Sequence, residues 1–152
     1  MQVPNPQYIT ALKHTVKTSP YPTHMHMELA EIHMDSAEIS LALHDCHLQP
    51  FGIVHGGVLA TLIDTATFWA AFLRLPPDCG LVNVDLKLNY LAPVTSGRLT
   101  AYGRCIRPGR TLSYTEARVE DEKGNLLTHG TSTLMALPGK GLDLGMDKFL
   151  EE

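Results

Sequence analysis

The sequence predicts an α+β domain in which one long apolar helix packs against an antiparallel sheet. Three observations carry this. Residues Gly57–Leu73 are apolar almost all the way round, which marks a helix surrounded by other elements. The stretches before and after that helix alternate apolar and polar residues with the period of a half-buried strand. Those stretches are joined by turn residues rather than by further helices, an order that favours antiparallel pairing.

The elements follow in order. In residues 1–23, "QYITALKHTVKT" places Ile9, Leu12 and Val16 at helical spacing between Pro4, Pro6, Pro20 and Pro22. A short surface helix between proline-marked breaks is expected. From His24 the period becomes two: Met25, Met27 and Leu29 alternate with polar residues, and the apolar set then moves to Ala30, Ile32 and Met34. That change of phase by one residue predicts a bulge within the strand. "SAEISLAL" continues as a second strand after a tight turn at Asp35-Ser36. A polar, glycine-marked loop occupies 44–56. The helix over Gly57–Leu73 has a length of about 25 Å by the helical rise, and "LPPDCG" ends it. "LVNVDLKLNYL", "RLTAYGRCI", "TLSYTEARVED" and "LLTHGTSTLMAL" each read as one strand, with "EKGN" as a turn between the last two. Pro108-Gly109 fits the centre of a type II turn. Residues 138–152 read as a loose C-terminal tail, so the domain is expected over 24–137. A sheet of five or six strands has edges, and pairing across a dimer covers one, so a homo-oligomer is expected.

Composition narrows the function classes. The chain has 152 residues, 44% hydrophobic and 18% charged, which describes one folded domain and not a disordered segment. A net charge of −4 argues against a general nucleic-acid binder. Cys46, Cys79 and Cys105 are odd in number and widely spaced, so reduced thiols are expected. The start of the sequence lacks a secretory layout, and no apolar run approaches the ~18 residues of a membrane span. A cytoplasmic protein is expected, with no membrane partner. His24 and His26, and His44 with His47, have ligand-like spacing, but no second pair matches it, so no metal is expected.

One residue does not fit a purely structural helix. Asp64 sits among Leu62, Ile63, Ala66, Phe68 and Trp69. A carboxylate can attack an activated carbonyl or activate the water that does. The competing reading is a surface or interface Asp held by the hydroxyls of Thr61, Thr65 or Thr67. Gly56 and Gly57 open the helix, where the first N–H groups lack partners and favour negative charge, so they can polarise a carbonyl. Phe68 falls one turn after Asp64 on the same face and can limit the size of a bound group. His55 and Asp64 are separated by about 13 Å of helix, too far to meet readily within one chain.

"QPFGIVHGGVLATLID", "NYLAPVTSGRL" and "RPGRTLSY" resemble the hotdog-fold acyl-CoA thioesterases over roughly residues 24–137. The branch most similar is the phenylacetic acid degradation (PaaI-like) type, which includes 4-hydroxybenzoyl-CoA and dihydroxynaphthoyl-CoA thioesterases. The resemblance implies an antiparallel sheet wrapped around one central helix, and a homodimer with one continuous sheet or a homotetramer of such dimers. It implies hydrolysis of an aryl- or medium-chain acyl-CoA at the subunit interface, with no cofactor beyond the coenzyme A of the substrate.

The same resemblance distributes the site residues. Asp64 is the nucleophile or general base, acting opposite the Gly56 of another subunit. Gln49 contacts the thioester carbonyl region, and His55 orients the loop or Gln49. Gly57, Thr65 and Phe68 lie near the substrate. Tyr90, Arg107, Gly109, Arg110 and Thr111 meet the coenzyme, whose phosphates suit arginine. Two other activities share such a fold: acyl-CoA binding without cleavage, and dehydration of hydroxyacyl thioesters.

Overall fold

The computed structural model describes residues 2–151. The elements are β1 (Gln2–Pro4), α1 (Pro6–Thr18), α2 (Pro20–Met25), β2 (Met27–His33), β3 (Ser36–Ala42), a 3₁₀ turn (Asp45–His47), α3 (Gly56–Phe72), β4 (Cys79–Asn83), β5 (Lys87–Tyr90), β6 (Arg98–Arg107), β7 (Leu112–Glu120), β8 (Leu126–Pro138) and β9 (Phe149–Glu151). Six strands run in the order β2-β3-β6-β7-β8-β4, and β5 also pairs with β8. All pairings are antiparallel. The sheet wraps α3, whose Leu62, Ile63 and Ala66 are wholly buried against Ile39, Leu99, Ala101 and Val119. Among the described residues, no helix is long and apolar enough to cross a membrane.

Close approach of helix and sheet depends on one glycine. A Cβ at Gly103 in β6 would lie 2.2 Å from the Ala66 carbonyl oxygen, so only glycine lets the strand pass beneath α3 at this height. The change of apolar phase in β2 is a real irregularity: the register against β3 shifts between Leu29 and Glu31. The β2–β3 turn uses Asp35 at a positive φ of 67°.

The structure departs from the sequence expectations at four places. Pro20 does not simply break the chain; it opens α2, because proline is pre-organised for the first helical position. Consequently residues 24 and 25 are helical, His26 adopts φ 56°, and the strand begins only at Met27. The single strand expected over "LVNVDLKLNYL" is divided into β4 and β5, which gives seven strands in the sheet. Asp85 causes the division: its carboxylate accepts the Thr133 N–H at 2.7 Å, and its carbonyl accepts the Ser132 hydroxyl at 2.7 Å.

Gly109 is not among the glycines with positive φ, so the β6–β7 connection is not a type II turn. Glycine is needed there for space, since a Cβ would lie 1.9 Å from the Leu112 carbonyl oxygen.

Finally, the C-terminal segment folds back. β9 pairs with β1, and Lys148 is only 2% exposed. Its ammonium donates to the carbonyls of Phe72 (2.8 Å) and Leu75 (2.9 Å) and lies 3.9 Å from the centre of the Phe72 ring. It therefore closes the C-terminal end of α3, where carbonyls lack helical partners and favour positive charge. Burial nevertheless dominates and pushes the Lys148 pKa down to about 8.

Candidate active site

The start of α3 is set by His55. Its backbone is extended (φ −65°, ψ 135°), and its Nδ1 accepts the Gly57 N–H at 2.8 Å. The His55 carbonyl accepts the Val58 N–H at 2.9 Å. Gly56 N–H is left without a partner among the described residues. A helix start with one unengaged N–H is a local electrophilic site.

His55 is itself held by the preceding loop. Its N–H donates to the His47 carbonyl at 2.8 Å. His47 is 1% exposed and uses both ring nitrogens: Nδ1 accepts the His44 N–H at 2.9 Å, and Nε2 donates to the Met25 carbonyl at 2.8 Å. The neutral Nε2–H tautomer is the one that satisfies both partners. Thus the His44/His47 pair, read for its ligand-like spacing, is a structural strut. Among the described residues, no group of three or more His, Cys, Asp or Glu side chains is placed to hold a metal ion.

Gln49 begins a tight turn. Its carbonyl accepts the Gly52 N–H at 2.9 Å, its N–H donates to Ile53 at 2.8 Å, and Gly52 takes φ 80°. Pro50 occupies the position that favours its fixed φ. The Gln49 side-chain oxygen accepts the Phe51 N–H. That contact orients the carboxamide and leaves its NH₂ as the unengaged donor. The structure therefore holds Gln49 through Phe51, and His55 bonds Gly57 instead of Gln49.

Gln49 and Gly56 border one cleft of about 360 Å³, walled by Ile53, Val54, Leu59, Tyr90, Leu91, Ala92 and Pro93. Tyr90 packs against the helix start: a Cβ at Gly56 would lie 3.0 Å from its ring. Two residues with an unengaged donor, Gly56 (N–H) and Gln49 (NH₂), thus line the same mostly apolar space.

Asp64 is half-buried and does not line this cleft within its own chain. Burial pushes its pKa up. Its carboxylate has no hydrogen bond or ion pair among the described residues. Two of the three neighbouring hydroxyls are used elsewhere: Thr67 donates to the Ile63 carbonyl at 2.8 Å, and Thr61 meets the Tyr21 hydroxyl at 2.7 Å. The reading of Asp64 as a carboxylate held by its threonines is therefore wrong. Thr65, also half-buried, makes no side-chain hydrogen bond among the described residues.

The other candidates are dispersed. Phe68 packs against both core clusters and meets Trp69 edge-on at 4.9 Å, so its ring serves packing in this chain. Arg107, Arg110 and Thr111 are exposed at the β6–β7 connection. Gly109 and Arg110 line a separate space of about 500 Å³ with Arg74, Pro76 and Pro138. Sequence reasoning assigned no role to the cleft walls Ile53, Leu59, Leu91 and Pro93, although they lie within the quoted stretches. It also missed His47 as a support, although its position in "HDCHLQPFG" was visible.

Comparison with known proteins defines the class. The family model described as "Thioesterase superfamily" matches residues 51–128. The chain belongs to this superfamily, and its fold is the hotdog fold of those thioester hydrolases. It is 30% identical to a putative esterase of Haemophilus influenzae, over 76% of this chain and 83% of the relative. It is 28% identical to the 1,4-dihydroxy-2-naphthoyl-CoA hydrolase of Listeria monocytogenes, over 71% of this chain and 88% of that one. The solved structure of a thioesterase from Haemophilus influenzae superposes with a TM-score of 0.80 at 26% identity, covering 91% of this chain and 94% of that one.

Proposed function

We propose that this enzyme hydrolyses the thioester of an aryl- or medium-chain acyl-CoA to the free acid and coenzyme A. The observation that carries this is that Gly56 and Gln49, each with an unengaged donor, line one mostly apolar cleft. The thioester carbonyl accepts from both donors, which stabilise the oxyanion as it forms. Asp64 of the partner subunit supplies the base or nucleophile, because in its own chain it lies away from the cleft. Acting as base, it takes a proton from water while the oxygen bonds to the carbonyl carbon. Acting as nucleophile, it forms a mixed anhydride that water then cleaves. In either route the C–S bond breaks and coenzyme A leaves as a thiolate. A thiol of pKa about 8.5 leaves without an acid to protonate it.

Arg107, Arg110 and Thr111 bind the phosphate end of the coenzyme, and Tyr90 contacts it at the cleft rim. The working unit is a homo-oligomer in the cytoplasm, and no metal or redox cofactor takes part. Coenzyme release is to be measured over aroyl, phenylacetyl and short to long acyl thioesters with wild type, Asp64→Ala and Asp64→Asn. Wild type turns over at least one class and both variants lose activity by about 10²-fold or more. Absence of turnover by wild type refutes the function, and full activity of Asp64→Asn refutes the residue.

A further inference from the structure

Phe51 is the most exposed large apolar side chain of the described residues, at 90%. Its backbone, by contrast, is fixed. It sits inside the turn closed by Gly52 N–H on the Gln49 carbonyl, and its own N–H holds the Gln49 side-chain oxygen. The turn's base is tied by pairing of Leu48 with Val54. Both chain neighbours two residues away, Gln49 and Ile53, line the apolar cleft. A ring carried on the turn between two cleft-lining residues and left bare to water has no packing role in this chain. Its exposure is unfavourable until something apolar covers it.

We infer that Phe51 determines specificity, by closing over the apolar part of the acyl group while its N–H keeps Gln49 aligned on the carbonyl. This rests on the thioesterase reading and deepens it. Recognition of the acyl group and orientation of an oxyanion donor share one residue: the ring reads the substrate, and the backbone of the same residue fixes the donor. The substrate class that results carries an apolar acyl group large enough to cover a phenyl ring, such as a hexanoyl or benzoyl group. An acetyl group is too small.

The test compares wild type, Phe51→Ala and Phe51→Leu. All three keep the backbone N–H on Gln49, and the side chain supports no core. The readout is the ratio of kcat/KM for hexanoyl-CoA to that for acetyl-CoA. Phe51→Ala lowers this ratio about tenfold, and Phe51→Leu restores most of it, because a leucine still offers apolar area. An unchanged ratio in Phe51→Ala overturns the inference. A second arm uses non-hydrolysable thioethers, S-hexyl- and S-methyl-CoA, with dissociation constants measured by calorimetry. Here too Phe51→Ala reduces the preference for the hexyl compound, and an unchanged preference overturns the inference. Wild type that discriminates between the thioethers but cleaves no thioester would refute the thioesterase reading while leaving the role of Phe51 intact.

Discussion

Lys148→Met removes a buried amine whose pKa burial has lowered toward neutral pH. The amine lies 2% exposed with its Nζ on two helix-end carbonyls. Burial lowers its pKa from 10.5 to about 8. Below pH 8 the amine is charged both folded and unfolded, and the full penalty of burying the charge opposes folding. Between pH 8 and 10.5 the folded protein releases the proton while the unfolded chain keeps it. The unfolded state then binds more protons, so stability rises with pH. At about 1.36 kcal/mol per pH unit, the rise totals about 3 kcal/mol. Methionine keeps the length and apolar stem but titrates nowhere. Urea denaturation of both proteins at fixed protein concentration, from pH 7 to 11, isolates the effect as a difference. Wild type gains about 3 kcal/mol on Lys148→Met across that window. A difference independent of pH would refute the reasoning, because it would mean that Nζ is not desolvated.

Two other outcomes follow from the site. Asp64→Asn raises stability at pH 7, since burial raises the Asp64 pKa and its charge opposes folding. The gain is present above the folded pKa and vanishes below the unfolded value of 3.8, so thermal melts of both proteins must converge in acid; a variant no more stable at pH 7 contradicts this. His55→Ala loses the cap on Gly57 and about 1 kcal/mol of stability, while His55→Asn, whose side chain can accept the same N–H, recovers most of it. Equal losses in both, measured by chemical denaturation, would show that His55 does not act as a cap.

Much of this fold can be read locally. The helix α3 announces itself because it is apolar on every side, and the bulge in β2 because the alternation slips by one residue. Features decided by distant partners cannot be read so. The break between β4 and β5 depends on Asp85 meeting Thr133, forty-eight residues away. Lys148 reads as a solvated lysine in "GMDKFLEE" because nothing nearby shows that the end of α3 waits for it. The site divides the same way. The Gln49 turn and the glycine helix start are local chemistry and legible. The apolar cleft walls Ile53, Leu59, Leu91 and Pro93 are not, since only the folded chain brings the two stretches that carry them together. Asp64 was legible as a misplaced charge. What surrounds it was not: within the chain its carboxylate takes no hydrogen bond among the described residues, and it lies off the cleft.

The strut through His47 alters what counts as the smallest working unit. The superfamily match begins at residue 51, yet the helix start that it contains is suspended from residues before it. His55 hangs on the His47 carbonyl, and His47 hangs on the Met25 carbonyl at the end of α2. A fragment trimmed to the matched region would keep every motif residue from His55 to Asp64 and lose the anchorage that aims Gly56. The proline-marked N-terminal segment therefore supports the candidate site from outside the region that the family model matches.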